Sequence, residues 1–303
     1  MRDWLLDHDY EVIGLVRRDP AEPREGVRYI HGDLADADSL RAAVRETQPD
    51  ELYHLAAPTF VGDSWSDPSG TLRLVASATG TLLTAAAGAP DQVRVLVASS
   101  AEIFGDAGES PQHEHSPMRP RSPYGVAKLA AHGLTGTLRG RDGLYAASAI
   151  TFNHESPRRP ERFLPRKVTR GAAAIKLGLA DELVLGDLRA VRDWCHARDI
   201  VRGEWLMLQQ DVPDDFVLAS GSGRTVGDLV DVAFAAAGVS CEDCVRVDPK
   251  FVRPPESTPP VGDPSHAREQ LGWTAETSFE AMIEEMVHAD LADLRARPGD
   301  RRL

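Results

Sequence analysis

The 303-residue sequence predicts an α/β fold, a Rossmann-like parallel sheet with helices on both faces and a smaller C-terminal α/β region. Two observations carry that prediction. Short apolar runs at 10–16, 51–57 and 95–100 alternate with stretches of helical spacing, the pattern of strands joined by crossover helices. The run Val95-Leu96-Val97-Ala98 is apolar and rich in β-branched residues, then ends in Ser99-Ser100. A buried parallel strand ends in small polar residues where it opens onto a binding crevice.

Taken in order, residues 1–8 read as a short amphipathic helix with Trp4 and Leu5 on its apolar side. A strand over 10–16 closes on Arg17-Arg18, and one over 29–34 closes on Gly32-Asp33-Leu34. Residues 38–46 form a helix with Ser39 near its start, and 51–57 a strand ending in Leu55-Ala56-Ala57. The many small residues of 72–87 suit a helix lying close on a sheet. After the strand at 95–100, Ser122-Pro123 marks a helix start that runs on through 124–138, because serine caps and proline costs nothing at the first helical position. The sequence shows no internal repeat, low-complexity segment or interdomain linker.

With 42% hydrophobic and 27% charged residues the chain has an ordinary globular composition. A net charge of −13 argues against nucleic acid and membrane surfaces as partners. No apolar run approaches the ~20 residues of a membrane span, and no signal peptide opens the sequence. The chain has only three cysteines, Cys195, Cys241 and Cys244. Cys241 and Cys244 form a CxxC with no second pair to complete a zinc site. They read as two reduced thiols in a cytoplasmic protein, and no metal is expected.

Tyr124 and Lys128 stand four apart, on one helix face and one turn from each other. A nearby ammonium favours a phenolate, which is what a base for a sugar hydroxyl needs. Ser100 and Glu102 sit just upstream at a strand end, so Ser100, Glu102, Tyr124 and Lys128 form a candidate catalytic set. Further on, Arg158, Arg159, Arg162, Arg166, Lys167 and Arg170 face only Glu155 and Glu161 in sequence, a local +4 inside a chain of −13. Such an excess points to an anionic ligand such as a pyrophosphate. A solvated basic face is the alternative.

The Ser, Tyr and Lys set resembles the extended short-chain dehydrogenase/reductase superfamily. Phe152-Asn153-His154-Glu155-Ser156-Pro157-Arg158-Arg159 narrows the likeness to the GDP-mannose 4,6-dehydratase family, as does Arg192-Asp193-Trp194-Cys195-His196-Ala197-Arg198-Asp199. The family has Gly at the Cys195 position. The likeness continues through Trp205-Leu206-Met207-Leu208-Gln209, Arg253-Pro254-Pro255-Glu256, Leu271-Gly272-Trp273 and 285–290, and so covers nearly the whole chain.

That resemblance implies an NADP-binding Rossmann-like region over 1–150. It also implies a mainly nucleotide-sugar-binding region over 151–303, with segments that return to the Rossmann core. The implied cofactor contacts are Arg17, Arg18, Asp33, Leu34, Ala56, Tyr124, Lys128, His154 and Arg159. NADP is expected over NAD, because Arg17-Arg18 stand where an acid would bond the ribose 2′-OH of NAD. The implied GDP-sugar contacts are Asn153, Glu155, Arg159, Lys167, Arg192, Arg253 and Glu256.

The implied reaction oxidises C4 of GDP-mannose, eliminates water across C5–C6 and returns the hydride to C6, giving GDP-4-keto-6-deoxy-mannose. Tyr124 takes the C4 hydroxyl proton with Ser100 bonding the same oxygen, and Lys128 holds the phenolate. Glu102 takes the C5 proton and helps the C6 hydroxyl leave. Ala101 departs from the hydroxyl residue usual in the family. The alternatives are a reductase or epimerase on a related keto-sugar, or an inactive nucleotide-sugar-binding protein.

The last alternative arises from the front of the sequence. Met1 falls inside what matches the first Rossmann helix, and no G-x-G-x-x-G precedes it. A strand and glycine turn of about 15 residues would normally stand there, and a mis-set start is the favoured explanation. Because that strand is central in such sheets, the expectation is a lost middle rung and weak NADP binding. A homodimer is expected, with a tetramer as the alternative, since the loop after Arg18 is cut to a short Pro/Glu/Arg stretch.

Overall fold

The computed structural model describes residues 1–240, 244–251 and 258–296. Helix α1 (Arg2–Leu6) leads to β1 (Val12–Val16), β2 (Val27–His31), α2 (Ala37–Thr47) and β3 (Glu51–His54). Then come α3 (Pro68–Leu72), a π turn, α4 (Ala78–Ala87), β4 (Arg94–Ala98), α5 (Pro123–Asp142) and β5 (Ala146–Thr151). The second half opens with β6 (Asn153–Glu155), α6 (Leu164–Lys176), β7 (Leu183–Leu185), β8 (Val191–His196) and α7 (Ala197–Leu208). It closes with β9 (Asp215–Leu218), β10 (Gly223–Thr225), α8 (Val226–Ala237), β11 (Val245–Val247), α9 (Ser265–Leu271) and α10 (Phe279–Ala296).

Alternation of side chains along β4 decides how the main sheet is covered. Val95 and Val97 pack with Leu83 and Ala86 of α4, whereas Leu96 packs with Met207 and Leu208 of α7. The sheet runs β3-β4-β5-β9, all parallel, so α7 and β9 from the second half complete the first. This is the expected parallel sheet with helices on both faces. A separate core holds α6, α8 and α10 together through residues such as Val168, Leu229, Met282 and Met286.

The parallel sheet lies in two pieces. Strands β1 and β2 pair with each other but not with β3, as in a sheet whose rung between β1 and β3 is absent. Side chains bridge the gap at its lower end. Tyr10 and Tyr53 donate to the two oxygens of Glu51 at 3.3 and 2.6 Å, Gln209 donates to Glu51 at 2.9 Å, and Trp205 donates to Tyr10 at 3.0 Å.

In the second half Asp193 is fully buried on β8. Its carboxylate accepts from the Ser220 N–H and hydroxyl, from Gly221 N and from Gly262 N at 2.6–3.2 Å. A Cβ on Gly262 would lie 2.5 Å from the Ala219 Cβ and 2.7 Å from the Phe152 ring. Only glycine lets that loop close on β9.

Several local expectations shift. The second strand spans Val27–His31, and α2 is capped by Asp36, which accepts from Asp38 N and Ser39 N. An aspartate with extended backbone is a favourable cap, and Ser39 lies near the start of the helix, as expected. The helical stretch begins at Pro68, capped by Asp67, with a π turn over Arg73–Ser77. Cys244 is disulfide-bonded, against the expectation of a reduced pair, while Cys195 is free and buried.

Candidate active site

Two capped turns bring the catalytic candidates together. Beyond β4, the Ser100 side chain caps a 3-10 turn over Ala101–Ile103 by accepting from Glu102 N at 3.2 Å. Opposite it, Ser122 caps α5 by accepting from Gly125 N at 3.0 Å, with Pro123 in the first turn. A Cβ on Gly125 would stand 2.6 Å from the Glu102 carbonyl oxygen, so the absent side chain lets α5 approach the turn. Tyr124 and Lys128 are thereby buried on the face that meets Ser100 and Glu102.

The electrostatics differ from the sequence expectation in one respect. Burial pushes the Tyr124 phenol up to about 12; a hydrogen bond from Ser100 pulls it down, the Glu102 charge pushes it up and Arg159 pulls it down. Lys128 is turned to another partner. Its ammonium lies 5.9 Å from the Tyr124 ring centre and donates to the Ala98 carbonyl at 2.6 Å. Burial also pulls Lys128 down to about 8. Helical spacing places the two residues on one face, but the ammonium turns to the Ala98 carbonyl at the end of β4.

The Asn-His-Glu stretch is β6, paired in parallel with Trp194, Cys195 and His196 of β8. Asn153 is exposed there. His154 donates from Nδ1 to its own neighbour's carbonyl, Phe152 O, at 2.9 Å. Burial lowers its pKa, the Phe152 bond opposes this, and the Arg159 and Lys128 charges lower it further. The Glu155 carboxylate is buried, with the Arg159 Nε 3.2 Å from one oxygen but too poorly aligned for a hydrogen bond. Burial raises Glu155 to about 7 against the pull of Arg159.

The basic run is mostly neutralised in space. Arg158 pairs with Asp3 at 2.7 Å, Arg162 with Asp63 at 3.0 Å and Arg166 with Asp290 at 2.8 Å. Arg170 pairs with Glu161 at 2.9 Å and Asp293 at 2.8 Å. Lys167 is exposed and donates to the Val184 carbonyl at 2.7 Å. Apart from Glu161 the acids come from distant parts of the chain, so the local +4 in sequence is not a free basic patch in the fold. Among the six, Arg159 is the one whose charge acts on both Tyr124 and His154.

Of the other candidates, Arg17 and Arg18 are exposed just past the carboxyl end of β1. Asp33 accepts from Ala35 N at 2.9 Å, and Leu34 packs against Leu40 and Leu82, so part of each is spent on the fold. Ala56 is exposed beyond β3. Arg192 donates to the Val191 carbonyl at 2.6 Å on β8. Arg253 and Glu256 lie outside the described residues. Sequence reading passed over His54, which bonds Thr79 at 3.1 Å and is lowered to about 4 by burial and then by the Lys128 charge. It also passed over buried Glu204, which burial raises to about 7 against the Lys128 charge. Neither carries a spacing signal.

The family model for GDP-mannose 4,6 dehydratase matches residues 1–286. The chain belongs to this family. The GDP-mannose 4,6-dehydratase of Yersinia enterocolitica is 40% identical over 334 aligned positions, covering 96% of this chain and 90% of the relative. That alignment is longer than the chain, so the relative carries internal residues that this one lacks. Among solved structures, a putative epimerase from Burkholderia cenocepacia superposes with a TM-score of 0.84 at 26% identity, covering 96% of this chain and 93% of that one. RMD from Pseudomonas aeruginosa, complexed with NADPH, superposes at 0.79 with 25% identity over 90% and 92% of the two chains. The expected fold class and the family resemblance are thus both borne out.

Proposed function

We propose that this GDP-mannose 4,6-dehydratase family member converts GDP-mannose to GDP-4-keto-6-deoxy-mannose with NADP as its cofactor. The observation that carries the reading is the Ser100–Glu102 turn packed against Tyr124, which sets a hydroxyl, a carboxylate and a phenol at one strand end. A reductase or epimerase has no use for the carboxylate.

NADP, when bound, would supply the hydride acceptor for C4 and the hydride donor for C6. The residues present fit such a group: Lys128 brings a buried donor, Arg17 and Arg18 are exposed at a strand end, and Arg159 lies near His154. The choice of NADP over NAD rests on Arg17 and Arg18, two cations where a 2′-phosphate would lie. Tyr124 takes the C4 hydroxyl proton, and Ser100 bonds the same oxygen. With C4 a ketone the C5 proton becomes acidic. Glu102 removes it and then, protonated, donates to the departing C6 hydroxyl.

We assign 1–150 mainly to the cofactor and 151–303 mainly to the sugar nucleotide, through Asn153, Glu155, Arg159, Lys167 and Arg192, with Arg253 and Glu256 retained from the resemblance. Exposed Trp65, Leu72 and Val126 line one shallow groove and support the expected homodimer, which Val126→Lys should dissociate in light scattering. The reading is tested by incubating the chain with GDP-mannose and NADP⁺ and weighing the product. A sugar lighter by one water is expected, and unchanged or merely epimerised GDP-mannose refutes the reading.

A further inference from the structure

Arg159 is held by two contacts of different kinds. Its guanidinium carbon sits 3.6 Å above the centre of the Phe163 ring, four residues further on at the N-cap of α6. Its Nε is 3.2 Å from the buried Glu155 carboxylate. The Nη groups make no hydrogen bond within the described residues, so their donors remain for a ligand, beside Tyr124 and His154.

Phe163 is itself braced. Its ring meets Phe60 edge-on, with centres 5.6 Å apart at 78°. Arg162 lies 4.4 Å over Phe60 and 5.5 Å from the Phe163 centre, and reaches Asp63 at 3.0 Å. The stack therefore joins the loop after β3, on the cofactor side, to the loop before α6, on the sugar-nucleotide side. A guanidinium on an aromatic face is attracted by the ring quadrupole and kept in a fixed plane. Without the ring, Glu155 would hold Arg159 at Nε alone, and the long side chain would swing about that contact.

We infer that Phe163, braced by Phe60, is the positioning residue that aims the Arg159 guanidinium at an anionic or carbonyl group of the bound ligand. This rests on the proposed site but makes its own claim: Phe163 affects binding only through Arg159.

The test is calorimetric titration of GDP-mannose and of NADP⁺ into the full chain. Arg159→Ala, Phe163→Leu, Phe163→Trp and the Arg159→Ala/Phe163→Leu double variant are compared with the parent, each with its thermal midpoint. Arg159→Ala shows which ligand Arg159 holds. Phe163→Leu keeps apolar volume without the aromatic face and should weaken that same ligand by about three- to tenfold. Phe163→Trp should restore binding. The double variant should bind no worse than Arg159→Ala alone, since coupled residues are not additive. If Phe163→Leu fails to fold, Phe60→Leu provides the same comparison from the far side of the stack, with a smaller effect.

Parent-like binding by Phe163→Leu, or single effects that multiply in the double variant, overturns the inference and leaves the proposed activity standing. So does an Arg159→Ala variant that binds both ligands like the parent. A parent chain that binds neither ligand overturns the proposed function, and the inference with it.

Discussion

Lys128 donates its ammonium to the carbonyl oxygen of Ala98 at 2.6 Å, although it shares a helix face with Tyr124. The phenol is consequently governed by burial and stands at about 12. In the ligand-free chain, Lys128→Met should therefore move the Tyr124 titration by less than about one unit. The same variant should cut turnover by about 100-fold or more, because a general base depends on its partner during reaction. Alkaline difference spectra against Tyr124→Phe identify the phenol. A Tyr124 that already titrates near neutrality without ligand contradicts this account.

Glu102 follows Ser100 by two residues in the same capped turn. Glu102→Gln keeps the shape and hydrogen-bonding capacity of the side chain but cannot take a proton. It should abolish water loss and stop exchange of the C5 hydrogen with deuterated solvent, while GDP-mannose affinity stays within about twofold of the parent. Normal turnover by the variant would show that the carboxylate has been given the wrong role.

The grouping of the candidate residues was legible because each pair is local: Tyr124 and Lys128 lie within one helical turn, and Ser100 and Glu102 within one loop. The parallel sheet was legible from strands that alternate with helical spacing. The basic run misled for the opposite reason. Its partners Asp3, Asp63, Asp290 and Asp293 come from far along the chain, and no spacing announces them. The direction of the Lys128 ammonium was equally hidden, since its acceptor is the Ala98 carbonyl, 30 positions earlier in the chain. The Phe163 platform is four residues from Arg159, a helical interval that many unrelated pairs share.

Glu155 is raised by burial from 4.5 to about 7. The folded chain thus keeps a proton that the unfolded chain releases in this window. The stability contributed by this group is full below about pH 4.5 and is lost as pH rises through about 7. Glu155→Gln is neutral throughout, so it should gain on the parent as pH rises, by on the order of 2–3 kcal/mol at about pH 8. Urea unfolding at about pH 5 and about pH 8 reads the difference. A gap that fails to widen with pH shows that Glu155 is ionised at no cost.

Arg17 and Arg18 are exposed at the carboxyl end of β1, where an added 2′-phosphate would find two cations. NADP⁺ should bind this chain at least about tenfold more tightly than NAD⁺. Because β1 and β3 are unjoined, GDP-mannose should bind more tightly than either dinucleotide. Calorimetry with the three ligands decides both points, and equal or tighter NAD⁺ binding defeats the first.

The central claim is a dehydration in which C4 lends a hydride that C6 receives, and an isotope label follows that directly. GDP-mannose deuterated at C4 is incubated with the chain at saturating NADP⁺, and the product is examined by mass spectrometry and NMR. The account predicts a 4-keto sugar lighter by one water that carries the deuterium on its C6 methyl group. Deuterium retained at C4, or a sugar of unchanged mass, would contradict it.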